Sequence, residues 1–362
     1  MTRETIRILH VFGRLDFGGA ETFIMNVYRN IDRAKIQFDF MIHTKQKCAY
    51  EDEVIALGGK IFRIPAYNCF NHLKYKTAWR KFFKNNKNYK FIHGHMTSTA
   101  AIYLKIAKKH GIKTISHAHN TSSGNDFKAK IKDILQLPLK YTADYLFACS
   151  AAAGKWCYGK SDFKIIFNAI DTDKFIYNKI FREIKRKELG LENKFVIMHI
   201  GRFEIQKNHG FLTDIFREIY NKNQDAVLFL VGNGPLREDI KIKTESAGLK
   251  NNIIFAGVRS DIPELLCAAD VFLFPSLWEG LGIVLIEAQA NGLRCVVSDA
   301  VPEEAAITNL IEFVSLNQPA MYWAEKVLAY VDGYERKDMR EEIKKAGYDI
   351  KNTVSRLEEF YL

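Results

Sequence analysis

Residues 275–288 read Pro-Ser-Leu-Trp-Glu-Gly-Leu-Gly-Ile-Val-Leu-Ile-Glu-Ala, directly after the apolar run Val271-Phe-Leu-Phe274. The apolar run predicts a buried strand of a parallel sheet, and the segment that opens at Gly282 predicts a helix. Glu279 then lies in the loop at the carboxyl end of that strand, and Glu287 lies inside the helix. Because open parallel sheets bind ligands at the carboxyl ends of their strands, both carboxylates are candidate ligand contacts.

The chemistry of this segment favours a phosphate with polyols on both sides. Its glycines let backbone amides at a helix start approach a phosphate closely. Carboxylates accept hydrogen bonds from the hydroxyls of a sugar or a ribose. The sequence therefore predicts a nucleotide sugar as the ligand.

Length, composition and charge narrow the class of protein. The chain has 362 residues, of which 48% are hydrophobic and 13% aromatic, enough for two buried cores. No apolar run reaches the length of a membrane-spanning helix, the N-terminus lacks a signal-peptide pattern, and the six cysteines are scattered as in reduced, cytosolic proteins. The net charge is +11, with 28 basic and 12 acidic side chains in residues 1–170 against 25 and 30 in the remainder. The first half is therefore predicted to face an anionic surface or polymer.

Strands alternate with helices along both halves of the chain, which predicts two doubly wound α/β domains. We place the domains at residues 1–173 and 174–344. The charged segment Phe181 to Glu188 is predicted to form a helix after the linker, and a final amphipathic helix is predicted from about Lys337 to Tyr361. A flexible connection is predicted at Thr121 to Asn125.

The loop Gly201-Arg202-Phe-Glu-Ile-Gln-Lys207-Asn208 follows the first strand of the second half. The guanidinium of Arg202 offers a planar fork and the ammonium of Lys207 a point charge, so together they can clamp a diphosphate. A solvated basic loop is the default interpretation of such a pair alone, but the neighbouring 275–288 segment favours phosphate binding. The same cations would stabilise a departing nucleoside diphosphate, where negative charge develops.

Each of two glycine-containing turns can be interpreted either as a ligand contact or as a structural turn. Gly18-Gly19 opens the first helix at a strand end, where its amides would face a phosphate, but a tight strand–helix turn explains the pair equally well. Gly232-Asn-Gly-Pro begins a helix likewise, and suits either the nucleotide base or a plain turn. Neither turn matches the Gly-x-Gly-x-x-Gly fingerprint of dinucleotide binding.

Histidines end two of the predicted strands. In His117-Ala-His119, one imidazole is predicted to contact a hydroxyl of the transferring sugar or a carbonyl near the reacting carbon. A His-x-His can bind a metal ion, but no carboxylate or cysteine cluster accompanies it, so no metal cofactor is predicted. His93 and His95 are predicted to shape the acceptor entrance or to pack there, without a catalytic role.

The segment from His72 to Lys84 mixes cations with aromatic side chains, as in a helix that lies on a membrane. Its cations, which would contact anionic headgroups, are Lys74, Lys76, Arg80 and Lys81. Trp79 would lie at the boundary between headgroups and acyl chains. A surface helix with an aromatic stripe facing the core is the alternative. Nucleic acid is a competing partner for the basic half, but the sequence holds no RNA- or DNA-binding module, so none is predicted.

Three motifs together resemble family 4 retaining glycosyltransferases of the GT-B fold: the Glu279/Glu287 segment, the Gly201-Arg202 to Lys207-Asn208 loop, and Gly18-Gly19-Ala-Glu21. Two more are similar to bacterial capsular and exopolysaccharide enzymes of that family, namely Ser116-His-Ala-His-Asn-Thr121 and Val301-Pro-Glu-Glu with Ile307-Thr308. The similarity covers nearly the whole chain. Gly282 stands where many members carry Phe or Ser, which leaves the choice of sugar more open.

The resemblance implies two Rossmann-like domains that face a central cleft, with a last helix at about 345–362 packed back on the N-terminal domain. The N-terminal domain would bind the acceptor and the C-terminal domain the donor. Glu287 would hold the ribose hydroxyls and Glu279 those of the donor sugar, while His119, with His117 as the alternative, would match the family's active-site histidine. Arg202 and Lys207 would take the diphosphate charge, so that no metal is required. The donor loop would also contact sugar and phosphate, at Gly280, Leu281, Gly282, Ile283 and Val284.

The sequence therefore predicts a retaining hexosyltransferase whose catalytic residues are Glu279, His119, Arg202 and Lys207. The donor would be a nucleoside-diphosphate sugar, with a UDP-sugar favoured. The acceptor would be a lipid-linked saccharide of capsular, exopolysaccharide or O-antigen synthesis, on the inner face of the plasma membrane. Alternatives are another GT-B enzyme such as an epimerase or phosphorylase, a non-catalytic sugar-nucleotide-binding protein, and a nucleic-acid-binding protein. The sequence does not specify an oligomeric state.

Overall fold

The computed structural model describes residues 5–121 and 127–362, and the chain folds as two compact units. Unit 1 comprises residues 1–170 and 347–362, and unit 2 comprises residues 171–346. Most of the predicted flexible connection, Thr121 to Asn125, lies outside the described residues. Each unit is built on an all-parallel sheet with helices between the strands, which confirms the predicted α/β class with two Rossmann-like units.

Unit 1 has a seven-stranded sheet in the order β3-β2-β1-β4-β5-β6-β7. The strands are β1 (Ile6–Phe12), β2 (Ile36–Ile42), β3 (Ile61–Arg63), β4 (Tyr89–Gly94), β5 (Lys113–Ala118), β6 (Tyr145–Ala148) and β7 (Lys164–Ile165). The helices are α1 (Gly19–Asn30), α2 (Glu51–Ala56), α3 (His72–Asn85), α4 (Thr97–Lys109), α5 (Phe127–Gln136), α6 (Leu139–Thr142) and α7 (Ala151–Tyr158), and α15 (Ile350–Tyr361) from the end of the chain.

Alternate residues of the unit 1 strands feed two separate cores, one on each face of the sheet. In β1, Ile8 and Phe12 join the core formed with α1 and α15, while Leu9 and Val11 join the core formed with α3, α4 and α7. The last helix is therefore an integral part of unit 1, whose first core it completes with Ile350, Val354, Leu357 and Tyr361.

Unit 2 has a six-stranded sheet in the order β10-β9-β8-β11-β12-β13. The strands are β8 (Phe195–Ile200), β9 (Ala226–Val231), β10 (Ile253–Gly257), β11 (Val271–Phe274), β12 (Arg294–Ser298) and β13 (Ile311–Val314). The helices are α8 (Lys179–Leu189), α9 (His209–Lys222), α10 (Arg237–Ser246), α11 (Ile262–Ala268), α12 (Ile283–Ala290), α13 (Ala320–Leu328) and α14 (Arg340–Lys345).

Four elements differ from the predictions. The prediction of a single helix from Lys337 to Tyr361 is wrong. The helical backbone is interrupted between α14 and α15 at Gly347, whose φ is +89°. A left-handed backbone at that position cannot continue a right-handed helix, and the Asp349 side chain then caps α15 by accepting from the amide of Lys351. Helix α7 and the pair β13 and α13 were not predicted, whereas the helix predicted at Phe181 to Glu188 is confirmed as α8.

Candidate active site

The loops after β8 and β11 meet at the carboxyl edge of the unit 2 sheet. β8 and β11 are neighbours, and the chain continues from β8 to β9 and β10 on one side and from β11 to β12 and β13 on the other. The strand order therefore reverses between them, and such a switch point is where open α/β sheets bind ligands outside the strand ends. The two loops, residues 201–208 and 275–282, carry most of the predicted site residues of unit 2.

Hydrogen bonds join these two loops at four places. The amide of Leu277 donates to the carbonyl of Gln206 at 2.8 Å, and Nε2 of Gln206 donates to the carbonyl of Trp278 at 2.8 Å. Nδ2 of Asn208 donates to the carbonyl of Pro275 at 3.1 Å, and the fourth contact is an ion pair between side chains. A ligand at this edge would therefore meet one pre-organised surface in place of two independent loops.

The ion pair joins Nζ of Lys207 to Oε1 of Glu279 at 2.6 Å. Only 16% of the Lys207 side chain and 6% of the Glu279 side chain are exposed, and Nζ also lies 4.5 Å from the centre of the Phe274 ring. An ammonium has three N–H donors, so this contact leaves donors of Lys207 for an anionic ligand. The structure thus brings together the predicted phosphate cation and the predicted sugar carboxylate.

Arg202 lies in the same loop but is not part of this buried pair. Its guanidinium forms a 2.8 Å salt bridge with Glu204, and 64% of its side chain is exposed. Exposed pairs of this kind contribute little to stability, so the guanidinium can exchange Glu204 for a stronger anion at small cost.

Helix α12 begins directly behind the two loops. Gly282 precedes its first residue with φ +75° and ψ 71°, a backbone that L side chains rarely adopt. None of the side chains that the structure describes caps this helix start, so the first amides, those of Ile283 and Val284, are donors for a ligand. Of the two loop residues just before them, Leu281 is buried and Gly280 is partly buried.

Glu287 lies in the second turn of α12 with only 8% of its surface exposed. Burial raises its pKa to about 8, because the carboxylate loses hydration when it is removed from water. The side chain is therefore mostly protonated at pH 7 in the ligand-free protein, and it can then donate as well as accept a hydrogen bond.

The glycine at position 232 has a structural explanation. A Cβ on Gly232 would lie 2.0 Å from the carbonyl oxygen of Gly201, because the two backbones cross closely where β8 and β9 end. Its φ of +136° also favours glycine. The close approach explains this residue without a ligand, and its predicted role in donor binding stays a prediction.

In unit 1, the Gly18-Gly19 pair is at the start of α1, as predicted. Gly18 is the residue before the helix and Gly19 is its first residue, and no side chain within the described ranges caps the helix at Gly18. A Cβ on Gly18 would clash with the carboxylate of Glu21 at 2.3 Å. Because that carboxylate is the far end of a flexible side chain and the φ of Gly18 is −109°, the turn does not require glycine at this position. The predicted role of the pair in donor binding stays a prediction.

Five histidines lie together on one face of the unit 1 sheet, which was not predicted. His10 is in β1, His93 is in β4 and His95 follows that strand, and His117 is in β5 with His119 just after it. Nδ1 of His119 donates to Oδ1 of Asn168 at 3.2 Å, which leaves its Nε2 to accept from Nδ1 of His95 at 2.8 Å. The predicted sugar contact, His119, therefore has protein partners on both ring nitrogens. The sequence did carry a signal for this cluster. Histidines two positions apart in or just after a strand, as in the pairs His93/His95 and His117/His119, point to the same face of a sheet.

Burial keeps these imidazoles neutral. It lowers the pKa of His10 to about 3 and that of His119 to about 4, with the Asn168 contact opposing the shift at His119. Burial also lowers the pKa of His93, His95 and His117 well below the usual value, and the neighbouring imidazoles add to that effect. Only His119 is partly exposed.

The predicted membrane position of Trp79 is wrong. Trp79 is fully buried in the core between the sheet and α3 and α4, together with Tyr75 and Phe83 of the same helix. The aromatic stripe of α3 thus faces the core, as the alternative interpretation held, because the spacing of four places these rings on one side of the helix. Among the predicted cations of α3, Lys74, Arg80 and Lys81 are exposed and Lys76 is partly exposed. Across the described residues, every helix is too short or too polar to traverse a bilayer.

Gln289 supports the site and was missed in the sequence. It is fully buried in α12, and its Oε1 accepts from the amides of Ile307 and Thr308 at 3.0 and 2.9 Å. Its Nε2 donates to the carbonyl of Ala305 at 2.8 Å. One glutamine therefore fixes the 301–308 loop, which follows β12 at the same sheet edge, against the helix that carries Glu287.

Comparison with known proteins places both units in described families. The family model described as "Glycosyltransferase Family 4" matches residues 17–174, and that described as "Glycosyl transferases group 1" matches residues 181–349. The Bacillus subtilis (strain 168) protein named "Putative glycosyltransferase EpsF" is 33% identical over 376 residues, covering 100% of this chain and 97% of that protein.

Two further likenesses concern one enzyme and one solved structure. The Escherichia coli UDP-Gal:alpha-D-GlcNAc-diphosphoundecaprenol alpha-1,3-galactosyltransferase is 31% identical over 237 residues, which is 60% of each chain. The crystal structure of Anabaena Alr3699/HepE in complex with UDP and glucose superposes with a TM-score of 0.81 at 17% identity, covering 98% of this chain and 99% of that one. The second likeness shows the shared fold.

Proposed function

Because the chain belongs to glycosyltransferase family 4, we propose that it transfers a hexosyl unit from a nucleoside-diphosphate sugar, with UDP favoured, to a lipid-linked saccharide, and that the anomeric configuration is retained. Transferase activity follows from the family, while donor, acceptor and stereochemistry are our proposal. The observation that carries it is the buried Lys207–Glu279 pair at the switch point of the unit 2 sheet.

The diphosphate of the donor would lie against cations and helix-start amides. Lys207 keeps donors beyond its contact with Glu279, and Arg202 is exposed in the same loop. The uncapped amides of Ile283 and Val284 add the positive end of the α12 dipole. These groups offset the charge of a diphosphate without a metal ion, which is why we propose a metal-independent enzyme.

The two glutamates would grip hydroxyls on either side of that diphosphate. Glu279 is held by Lys207 and can accept from hydroxyls of the donor sugar. Glu287 lies farther along α12 and would accept from the ribose hydroxyls. Because its pKa is about 8, ribose binding would favour the ionised carboxylate and release a proton near neutral pH.

In the transfer step the bond from the anomeric carbon to the diphosphate oxygen breaks, and the acceptor oxygen forms a bond to the same face of that carbon. The proton of the acceptor hydroxyl moves to the leaving diphosphate. Lys207, Arg202 and the α12 amides stabilise the charge that develops on that leaving group. Glu279 positions the sugar in this scheme and is not a nucleophile.

Of the two candidate histidines, we favour His119 as the one nearer to a substrate. His119 is partly exposed, whereas His117 is fully buried. Since both nitrogens of His119 are already bonded, a sugar hydroxyl would have to replace either Asn168 or His95.

The donor proposal is tested by calorimetric titration of UDP and UDP-sugars into wild type, Lys207→Ala and Glu287→Ala. Loss of a charge-assisted hydrogen bond at Lys207 is expected to weaken UDP binding roughly 10- to 150-fold, from about 1.5–3 kcal/mol. Glu192→Gln, a change at an exposed carboxylate just before β8 and so at the opposite end of the strands, is the matched control and should bind as wild type does. Unchanged UDP affinity in both site variants would reject this assignment. The stereochemistry is tested by NMR of the product, in which an inverted linkage contradicts retention.

We also propose that unit 1 contacts the anionic membrane that carries the acceptor, through residues other than Trp79. Phe70, in the short turn before α3, and Leu73, in its first turn, are 102% and 77% exposed. Exposed cations of the same helix lie close by in sequence, including Lys74. Apolar side chains beside cations fit a bilayer with anionic headgroups.

Co-sedimentation with vesicles of anionic phospholipid tests this contact. The double variant Phe70→Ser/Leu73→Ser is expected to lose vesicle binding while its UDP titration stays as in wild type. Ile55→Ser/Ile242→Ser, changes at exposed apolar residues elsewhere, serve as the matched control. Equal sedimentation of the Phe70/Leu73 variant and wild type would remove the proposed membrane surface.

A further inference from the structure

The histidine cluster of unit 1 has more nitrogen ligands than the proposed transfer reaction uses. β1, β4 and β5 are adjacent in the sheet, so His10, His93, His95, His117 and His119 come from three neighbouring strands and the residues just after them. The rings stack at close range, with centroids 4.1 Å apart for His117 and His119 and 4.4 Å apart for His93 and His95. Five imidazoles in one buried cluster demand a chemical reason.

Hydrogen bonds leave part of this cluster without partners. Nε2 of His10 and Nε2 of His117 are fully buried, and neither finds a hydrogen-bond partner in the described part of the chain. A buried polar atom without a partner costs about 1–3 kcal/mol relative to a satisfied one. An imidazole without a full set of partners, in a ring that stacks on other imidazoles, points to a ligand that accepts nitrogen lone pairs.

We propose that this cluster is a binding site for a late first-row transition-metal ion such as Zn²⁺, held by His95, His117 and His119. Each of the three offers one nitrogen, and those three atoms lie within 4.8 Å of one another. His10, His93 and His95 also form such a group, but all three are buried, whereas the partly exposed His119 gives the first group a route for entry.

Each proposed ligand has a second residue that orients its ring. Asn168 accepts from Nδ1 of His119 at 3.2 Å, which leaves Nε2 for the ion. Nδ1 of His117 lies 3.2 Å from Nε2 of His93, and His93 is itself bonded to the Tyr361 hydroxyl at 2.7 Å, so His93 fixes the orientation of the His117 ring. Such outer partners fix the orientation of metal-binding histidines.

His95 completes the set through its Nδ1, because its Nε2 lies 3.1 Å from Nδ1 of His10. When the ion binds, the proton on Nδ1 of His95 would move to Nε2 of His95, which faces Nδ1 of His10. The proton on Nδ1 of His10 would then move to Nε2 of His10. The three ligands stay neutral imidazoles, and no proton leaves the protein.

One nitrogen–nitrogen distance of the group is close to that of a tetrahedral site. Zn–N bonds of 2.0–2.1 Å at tetrahedral angles place ligand nitrogens about 3.3 Å apart. Nδ1 of His95 and Nε2 of His119 are 2.8 Å apart, so a shift of about 0.5 Å would admit the ion. The fourth position would take a water molecule.

The donor set also selects among metals. Imidazole nitrogen suits Zn²⁺, Cu²⁺, Ni²⁺ and Co²⁺, while Mg²⁺ and Ca²⁺ require oxygen ligands. No carboxylate belongs to the groups that the described residues form here. The ion would hold Nε2 of His119, so metal binding and a sugar contact through that atom exclude each other, and Zn²⁺ is expected to inhibit transfer.

Metal binding is measured on the untagged full chain after treatment with a chelator. Titration with CoCl₂, followed by its visible absorption, and calorimetry with ZnCl₂ are expected to show about one ion per chain. His95→Gln and His119→Gln are expected to weaken binding at least tenfold, and Asn168→Ala about 10- to 100-fold. His110→Gln, at an exposed histidine outside the cluster, is the matched control and should bind as wild type does. MgCl₂ and CaCl₂ should give no heat of binding.

The site is rejected if wild type takes up neither Co²⁺ nor Zn²⁺ stoichiometrically, or if His95→Gln binds as wild type does. The wild-type titration decides the matter even where a variant fails to fold. Because no nucleotide sugar is used, failure of this site leaves the proposed transferase function untouched, and failure of the UDP titrations leaves the metal site untouched.

Discussion

Replacing Glu287 by Gln should make the stability of unit 2 much less dependent on pH. Glu287 has a pKa of about 8 in the folded protein, against 4.5 for an ordinary glutamate. Between those values the unfolded chain loses the proton while the folded chain keeps it, so the stability of wild type falls as pH rises from about 5 to 8. Above 8 both states are ionised and the loss is complete.

The size of that loss follows from the difference in pKa. At 1.36 kcal/mol for each pH unit, wild type should lose about 4 kcal/mol more than Glu287→Gln between pH 5 and pH 9. For a unit of this size, that corresponds to a difference of about 10 °C in the change of Tm. At pH 5 the two proteins should unfold at similar temperatures, since the unfolded chain has only begun to lose the proton there and the loss of stability is still below about 1 kcal/mol.

Calorimetric unfolding at pH 5, 7 and 9 measures the difference. Glu303→Gln removes an exposed carboxylate and should follow the wild-type pH profile. Parallel profiles for wild type and Glu287→Gln would refute the reasoning, because they would show that Glu287 ionises in the folded protein as it does in water.

Three further outcomes follow from described contacts. The ratio of the UDP affinity of wild type to that of Glu287→Gln, both measured by calorimetry, should rise with pH by up to about tenfold per unit below pH 8. A ratio that does not change with pH would contradict ribose binding by the ionised carboxylate. Trp79→Ala should cost about 3–5 kcal/mol in urea unfolding without changing vesicle binding by the folded protein, and normal stability would contradict its place in the core. Gln289→Ala removes three hydrogen bonds to the 301–308 loop, and among the described residues it leaves the Thr308 amide without a partner, because the Ile307 amide still donates to the Ala305 carbonyl. It should cost about 1–3 kcal/mol, whereas Gln318→Ala, at an exposed glutamine, should cost almost nothing; equal effects would show that the 301–308 loop does not depend on Gln289.

The parts of the fold that could be predicted are those where local pattern and tertiary position agree. Apolar runs such as Val271–Phe274 become buried strands in a parallel sheet, whatever surrounds them. β13 and α13 carry weaker patterns, because β13 is an edge strand whose residues are mostly half-buried. Gly347 looked tolerable inside a helix, and only its left-handed backbone shows that the helix stops there.

The site was harder to predict because its geometry depends on which strands are neighbours. The sequence marked Lys207 and Glu279 as ligand contacts, but it could not show that they pair with each other, since 72 positions separate them. The histidines were noticed at separate strand ends, and their meeting depends on β1 lying beside β4 and β4 beside β5. The prediction for Trp79 failed for another reason. The pattern of aromatic side chains in α3 suits a bilayer or a protein interior, and only the packing of the folded chain distinguishes these two environments.

Helix α15 makes the order of synthesis differ from the order in which the two units can finish folding. Its side chains fill the core beside α1, and its Glu358 accepts from the amide of Asp32 at 2.7 Å. A ribosome releases these last residues only after all of unit 2 has been made. Unit 1 must therefore wait with one sheet face incomplete while unit 2, which is continuous in sequence, can already be native. During that interval the nascent chain exposes the apolar face of unit 1 that α15 covers, so a chain truncated after Asp349 would leave the first core of unit 1 open.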